Sequence, residues 1–198
     1  KDFDMLKIIS TAVREMSEGE LLQIEKARSL DISEEVYYEV IRKKTATLIA
    51  SCCSLGACSV ESSEAEVEKM RMFGEKIGIA FQIKDDLFDI LGSEFETGKN
   101  SNSDVKKNMI TLPLIHAKSK MSRIQKRELN KLLNKNKKNN RILSSIRELI
   151  MEAGGIQYSI DKMEEYSNLA LNAISNYPDS PMKVCLIDLV SYNGSRIK

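Results

Sequence analysis

The stretch "FQIKDDLFDI", residues 81–90, sets three aspartates among phenylalanine, isoleucine and leucine, and its reading decides the fold. Wound as an α-helix at about 100° per residue, it puts Gln82 at ~100° from Phe81, Asp85 at ~40°, Asp86 at ~140° and Asp89 at ~80°. These polar side chains share one narrow face. Ile83, Leu87, Phe88, Ile90 and Leu91 join Phe81 in an apolar arc that packs, interrupted by Lys84, which the same count turns away from the carboxylates.

Carboxylates held that close raise one another's pKa unless a cation joins them. A divalent metal supplies that cation. Oxygen donors with no His or Cys among them favour Mg²⁺, which keeps several waters and joins one or two carboxylates to substrate phosphates. The expected ligand is therefore a metal-bridged phosphate or diphosphate. The competing reading is a solvated acidic stripe, or aspartates paired with lysines of a neighbouring helix.

Outward from this segment the pattern stays helical, with three prolines, nine glycines and no convincing alternating strand, and residues 1–198 read as a single all-α domain. Phe3, Leu6, Ile9, Val13 and Met16 fall at helical spacing in a first helix over about residues 3–28. Ser33 offers an N-cap for a second, to about Gly56. Ser63 with Glu66 three positions on is a capping-box signature for a third, which runs to about Leu91 and carries the aspartates. Folding the second and third helices about residues 57–62 places Lys44 opposite residue 75. Residues 92–109, "GSEFETGKNSNSDVKKNM", have no helical period, and loops of this length in compact domains are usually functional or disordered. "TLPLIHAKSK" restarts a helix near Leu112, and Ser122 with Gln125 forms another capping box. Helices follow over about 140–153 and 156–175, separated by Gly154 and Gly155, and a last one over about 181–192 after Pro178.

A net charge of +1 and the absence of a basic tail remove the electrostatic case for nucleic acid. No window is long and apolar enough for a membrane span. "KLLNKNKKNNR", residues 131–141, reads as a solvated loop, with weak contact to an anionic membrane surface during product release as the competing role. Cys52, Cys53, Cys58 and Cys185 show neither zinc spacing nor a disulfide framework, and read as small core residues of a reduced, cytoplasmic protein. His116 reads as a core or helix-surface residue rather than a catalytic one.

The opening segment resembles the second aspartate-rich motif of the trans-type polyprenyl diphosphate synthases, a head-to-tail isoprenyl diphosphate synthase family. "RKKTATLIASCCSLGA" is similar to the family's Lys-Thr-Ala helix, "TGKNSNSD" to its Gly-Lys after the motif, and "TLPLIHA" to the start of its next helix. "EGELLQ" and "EAGGIQYSIDKMEEYSNLA" also resemble family segments. The resemblance covers the whole chain and corresponds to the C-terminal two-thirds or so of a synthase. It implies an isoprenoid-synthase helical bundle around a central cavity, usually homodimeric. It implies a Mg²⁺-dependent prenyltransferase that ionises an allylic diphosphate, which isopentenyl diphosphate then attacks, with medium or long products such as quinone side chains. Asp85 and Asp89 would be Mg²⁺ ligands with Asp86 in the same network. Lys44 and Lys99 would contact the allylic diphosphate, and Thr45 and Gln82 would face the reacting carbons.

The chain lacks the family's first motif, Asp-Asp-x-x-Asp, so as it stands it is not expected to catalyse condensation. Asn108 and Met109 stand where the family usually has Gly-Lys, with Lys106 or Lys107 as substitutes. The alternatives to an enzyme are a non-catalytic or regulatory subunit of a heteromeric synthase and a ligand-free helical interaction module.

Overall fold

A computed structural model describes residues 2–26, 32–91, 111–135 and 139–194. Every regular element among these residues is helical, as the periodicity requires: α1 (Asp2–Lys26), α2 (Glu34–Ile41), a wide turn (Arg42–Ala46), α3 (Thr47–Ser59), α4 (Glu64–Leu91), α5 (Leu112–Lys120), α6 (Arg123–Leu133), α7 (Asn140–Glu152), α8 (Gly155–Ala173) and α9 (Pro181–Gly194). The segment 92–109, with Lys99, Lys106, Lys107, Asn108 and Met109, lies outside the described residues.

The local signals act where their chemistry predicts. Ser33 Oγ accepts from the Val36 N–H at 3.3 Å, and Ser63 Oγ accepts from the Glu66 N–H at 3.3 Å. Glu66 turns its carboxylate to Lys69 and to the Tyr177 hydroxyl. Ser122 and Gln125 make both halves of a capping box, and Asn139 Oδ1 caps α7 through the Ile142 N–H at 3.0 Å. Gly154 takes a φ of +76°, the left-handed conformation that lets α7 end and α8 begin.

Two compact units can be drawn. The first comprises the described residues within Lys1–Gln23, Tyr38–Gln82 and Lys162–Lys198. Its apolar centre joins Phe73 and Ile77 of α4 to Ala170, Ile174 and Val190, with Ile49, Cys53, Met70 and Leu186 packed on it. Glycines set its helix spacings. A Cβ on Gly74 would lie 2.7 Å from Ala50 Cα and one on Gly78 2.6 Å from Ala46 Cα, so α3 and α4 meet at near backbone contact.

That contact fixes the register. With Ala46 against Gly78 and Ala50 against Gly74, Lys44 falls opposite Ala80, not residue 75 as expected from the sequence. Gly56 does not end the helix: α3 runs on to Ser59, and the turn, with Glu61 at φ +61°, sits further along the chain.

The second unit comprises the described residues within Ile24–Tyr37 and Ile83–Asp161. Ile90 packs with Leu114 and Ala117 of α5, with Met121 at the end of that helix, with Leu129 and Leu133 of α6, and with Leu143, Ile146 and Ile150 of α7. The Arg147 guanidinium donates to the Ile90 carbonyl at 2.9 Å, closing the C-terminal end of α4 with a positive charge. A Cβ on Gly155 would lie 2.2 Å from the Pro113 carbonyl oxygen, so α8 starts in close backbone contact with α5.

Two expectations about burial change, and one apolar stripe lies uncovered. Phe81, placed by the helical count in the packing arc, is 49% exposed. Cys52 and Cys185 are exposed and only Cys58 is fully buried, so the cysteines are not uniformly core residues. The apolar stripe of α1 is real, but Phe3, Leu6, Ile9, Val13, Leu21 and Ile24 are all exposed. Periodicity shows which residues share a face, not what that face meets.

Candidate functional site

In the first unit the predicted residues Lys44, Thr45 and Gln82 rest on the wide turn and on α4. The Thr47 N–H bonds the Arg42 carbonyl, five residues back, which is the π-helical pattern and adds a residue to the turn. Such turns recur at functional sites because they redirect side chains without ending the helix. Here the turn carries Lys44 and Thr45. Thr45 Oγ1 donates to Gln82 Oε1 at 2.7 Å, joining two of the predicted residues directly. Lys44 Nζ reaches Glu20 at 2.7 Å and also bonds Gln23 Oε1, both in the "EGELLQ" segment of α1. Glu15 accepts from Arg42 at 3.2 Å and from Thr47 Oγ1 at 2.7 Å, which fixes the turn on both flanks. Gly19 permits the close approach: a Cβ there would lie 2.7 Å from the Lys44 backbone nitrogen.

In the second unit Asp85 and Asp89 are half-buried and one helical turn apart on α4, while Asp86 is 3% exposed. Asp86 Oδ2 accepts a 2.7 Å hydrogen bond from the hydroxyl of Tyr37, which is itself 3% exposed. Lys84, counted away from the carboxylates by the helical wheel, is buried with its ammonium 5.6 Å over the Phe88 ring. Tyr37 was missed by sequence reasoning. It lies 49 residues from its partner and belongs to no motif, so only the fold reveals it.

Among the described residues, no three of His, Cys, Asp and Glu stand together as a metal-holding set. Mg²⁺ takes one or two carboxylates and completes its shell with water and phosphate oxygens. Asp85 and Asp89, oxygen donors one turn apart at intermediate burial, fit that use. Lys99, the other predicted diphosphate contact, lies outside the described residues.

An all-helical chain whose 28-residue helix ends in three aspartates, and whose preceding helical run widens at Lys44 and Thr45, has the build of an all-α isoprenoid synthase. The sequence model of the polyprenyl synthetase family matches residues 1–150, and the chain belongs to that family. It is 29% identical over 193 residues to a probable mitochondrial hexaprenyl pyrophosphate synthase of Neurospora crassa, covering 94% of this chain and 42% of that protein. The crystal structure of a decaprenyl diphosphate synthase from Rhodobacter capsulatus superposes with a TM-score of 0.91 at 28% identity, over 99% of this chain and 60% of the other. A polyprenyl synthase from Caulobacter crescentus CB15, solved with calcium and isoprenyl diphosphate, gives 0.91 at 30% identity over 98% and 59%. The chain spans about half the length of the curated relatives it matches. No helix among the described residues is long and apolar enough to cross a membrane.

Proposed function

We propose that the protein carrying this chain is a prenyltransferase that condenses an allylic polyprenyl diphosphate with isopentenyl diphosphate, giving medium or long chains of the kind found on quinones. Membership of the polyprenyl synthetase family supports this, as do similar proteins named for hexaprenyl and decaprenyl products. The observation that carries it is the end of α4, where Asp85 and Asp89 sit one turn apart and Asp86 is held by Tyr37. A similar synthase solved with a divalent cation and a prenyl diphosphate fits the same chemistry.

Asp85 and Asp89 would hold Mg²⁺, with Asp86 in the same network. When bound, Mg²⁺ neutralises the diphosphate as it leaves the allylic carbon. Lys44 and Lys99 bind the diphosphate as cations. In the free chain Lys44 is held by Glu20, but both side chains are substantially exposed, at 38% and 53%, so the ion pair is weak and exchange for diphosphate is easy. Thr45 and Gln82 act at the reacting carbons. Because Thr45 commits its proton to Gln82, its oxygen lone pairs remain available to stabilise positive charge or accept the proton lost on condensation.

We also propose that the chain works as one domain in a cytoplasmic homodimer. Four free cysteines suit a reducing compartment, and the exposed apolar stripe on α1 suits a second copy.

The test is thermal. Mg²⁺ with methylenebisphosphonate should raise the melting temperature of the chain by linkage, about 2.7 kcal/mol of stabilisation at a hundredfold excess over Kd. Asp85→Ala should abolish the rise while the protein stays folded, and should remove most Mg²⁺-dependent condensation of farnesyl diphosphate with isopentenyl diphosphate in the full-length protein. A wild-type melting temperature indifferent to both ligands would sink the reading.

A further inference from the structure

We infer that Tyr37 is a positioning residue for the α4 carboxylates: its buried hydroxyl orients Asp86 and so tunes divalent-cation and diphosphate binding at Asp85 and Asp89. The inference rests on the proposed function, because it concerns the same carboxylates, but Tyr37 is drawn from geometry alone.

The chain of physical reasons is short. Asp86 is 3% exposed, and a polar group so far from water needs hydrogen-bond partners. Tyr37 supplies one at 2.7 Å from a ring that is equally buried, so neither partner can swing away without opening a void. A hydroxyl solvates a carboxylate without neutralising it. What Tyr37 gives Asp86 is orientation. Groups that orient a metal's carboxylates in this manner commonly change affinity when removed.

The element that carries Tyr37 is suited to the role. α2 is the eight-residue opening of a helical run that continues through the wide turn into α3, and side chains fix its start. Ser33 caps its start, and Glu34 in its first turn accepts from the Tyr158 hydroxyl at 2.7 Å, with the Tyr158 ring stacked on His116 at 3.8 Å. Two tyrosine–carboxylate bonds of equal length thus involve α2. One ends on the aspartate helix and the other does not, which provides an internal control.

The test compares Tyr37→Phe with Tyr158→Phe in the full chain, titrating Mg²⁺ against a fixed concentration of methylenebisphosphonate and reading the melting temperature and the Mg²⁺ midpoint separately. Both variants should lower the melting temperature without ligand. Tyr37→Phe alone should also raise the Mg²⁺ midpoint, by roughly tenfold or more. A midpoint for Tyr37→Phe equal to wild type, with wild type responding to Mg²⁺, overturns the inference and leaves the proposed function standing. A wild-type chain with no Mg²⁺ response overturns both. Should Tyr37→Phe fail to fold, 3-fluorotyrosine placed at position 37 keeps the ring and makes the hydroxyl a stronger donor. The midpoint should then shift from wild type, and an unchanged one again overturns the inference.

Discussion

Single side chains in this protein are readable as local electrostatic problems with specific solutions. His116 is the plainest. Burial lowers its pKa from 6.5, Lys120 on the same helix lowers it further, and Glu34 of α2 opposes them, while the ring stacks on Tyr158 of α8. The folded state thus prefers the neutral imidazole. The unfolded chain takes up a proton as pH falls through 6.5 and the folded chain does not, so the stabilising contribution is complete above that pH and is lost as pH falls through the depressed folded value. Urea midpoints compared at about pH 7.5 and about pH 5.5 should drop for wild type and drop less for His116→Gln. Equal drops would assign the acid sensitivity to other groups. At the same scale, Lys84 shows the limit of a helical wheel: the count turns it from the aspartates, but its burial and its place over Phe88 follow from what packs around α4.

The helices were largely legible, and the reason differs from one end to the other. Ser33, Ser63 and Ser122 mark their starts because a side-chain oxygen there accepts a backbone N–H that the helix cannot use. Gly56 misled because a glycine reads as a stop, yet a helix interior tolerates it at modest cost. The wide turn left no trace, since "RKKTA" reads as ordinary helix in any periodicity count and the contacts that flank the turn, from Glu15 and Gln82, come from other helices. Two glycines separate these effects by sign. Gly78→Ala drives a Cβ to 2.6 Å from Ala46 and should destabilise the protein by about 1–3 kcal/mol. Gly56→Ala meets nothing within 4 Å, lies inside α3, and should stabilise by about 0.5–1 kcal/mol. Denaturant midpoints moving in the same direction for both would refute the packing assignment.

Across the whole molecule, the sequence announced an all-helical chain and the aspartate face, but not which apolar stripes are covered. α1 illustrates why: Phe3, Leu6, Ile9 and Val13 have the spacing of a buried stripe, and spacing carries no information about a partner. With a net charge of only +1, repulsion between copies is small and this stripe should drive self-association. Leu6 and Val13, each 60% exposed, are the positions to change. Sedimentation velocity should show wild type as a dimer and Leu6→Lys with Val13→Lys shifted toward monomer, with helicity by circular dichroism unchanged. A wild-type chain that sediments as a monomer at high concentration would remove the homodimer from the proposal. Of the candidate site, the motif supplied the candidate residues, while the Tyr37–Asp86 bond and the contacts of Lys44 with Glu20 and Gln23 came only from the fold, because contacts across 20 to 50 residues leave no local pattern.

The wide turn at Arg42–Ala46 also acts on the chain as a change of phase. A helix advances by about 100° per residue, so one residue added to a turn rotates every later side chain by about that angle against every earlier one. Ala46, the last residue of the turn, and Ala50, in the helix beyond it, are the residues that meet the glycines of α4. Deleting a residue from "RKKTA" would mend the helix and swing both alanines off their seats. The irregular turn is what keeps this helix in step with its neighbour, and a more regular helix would fit it less well.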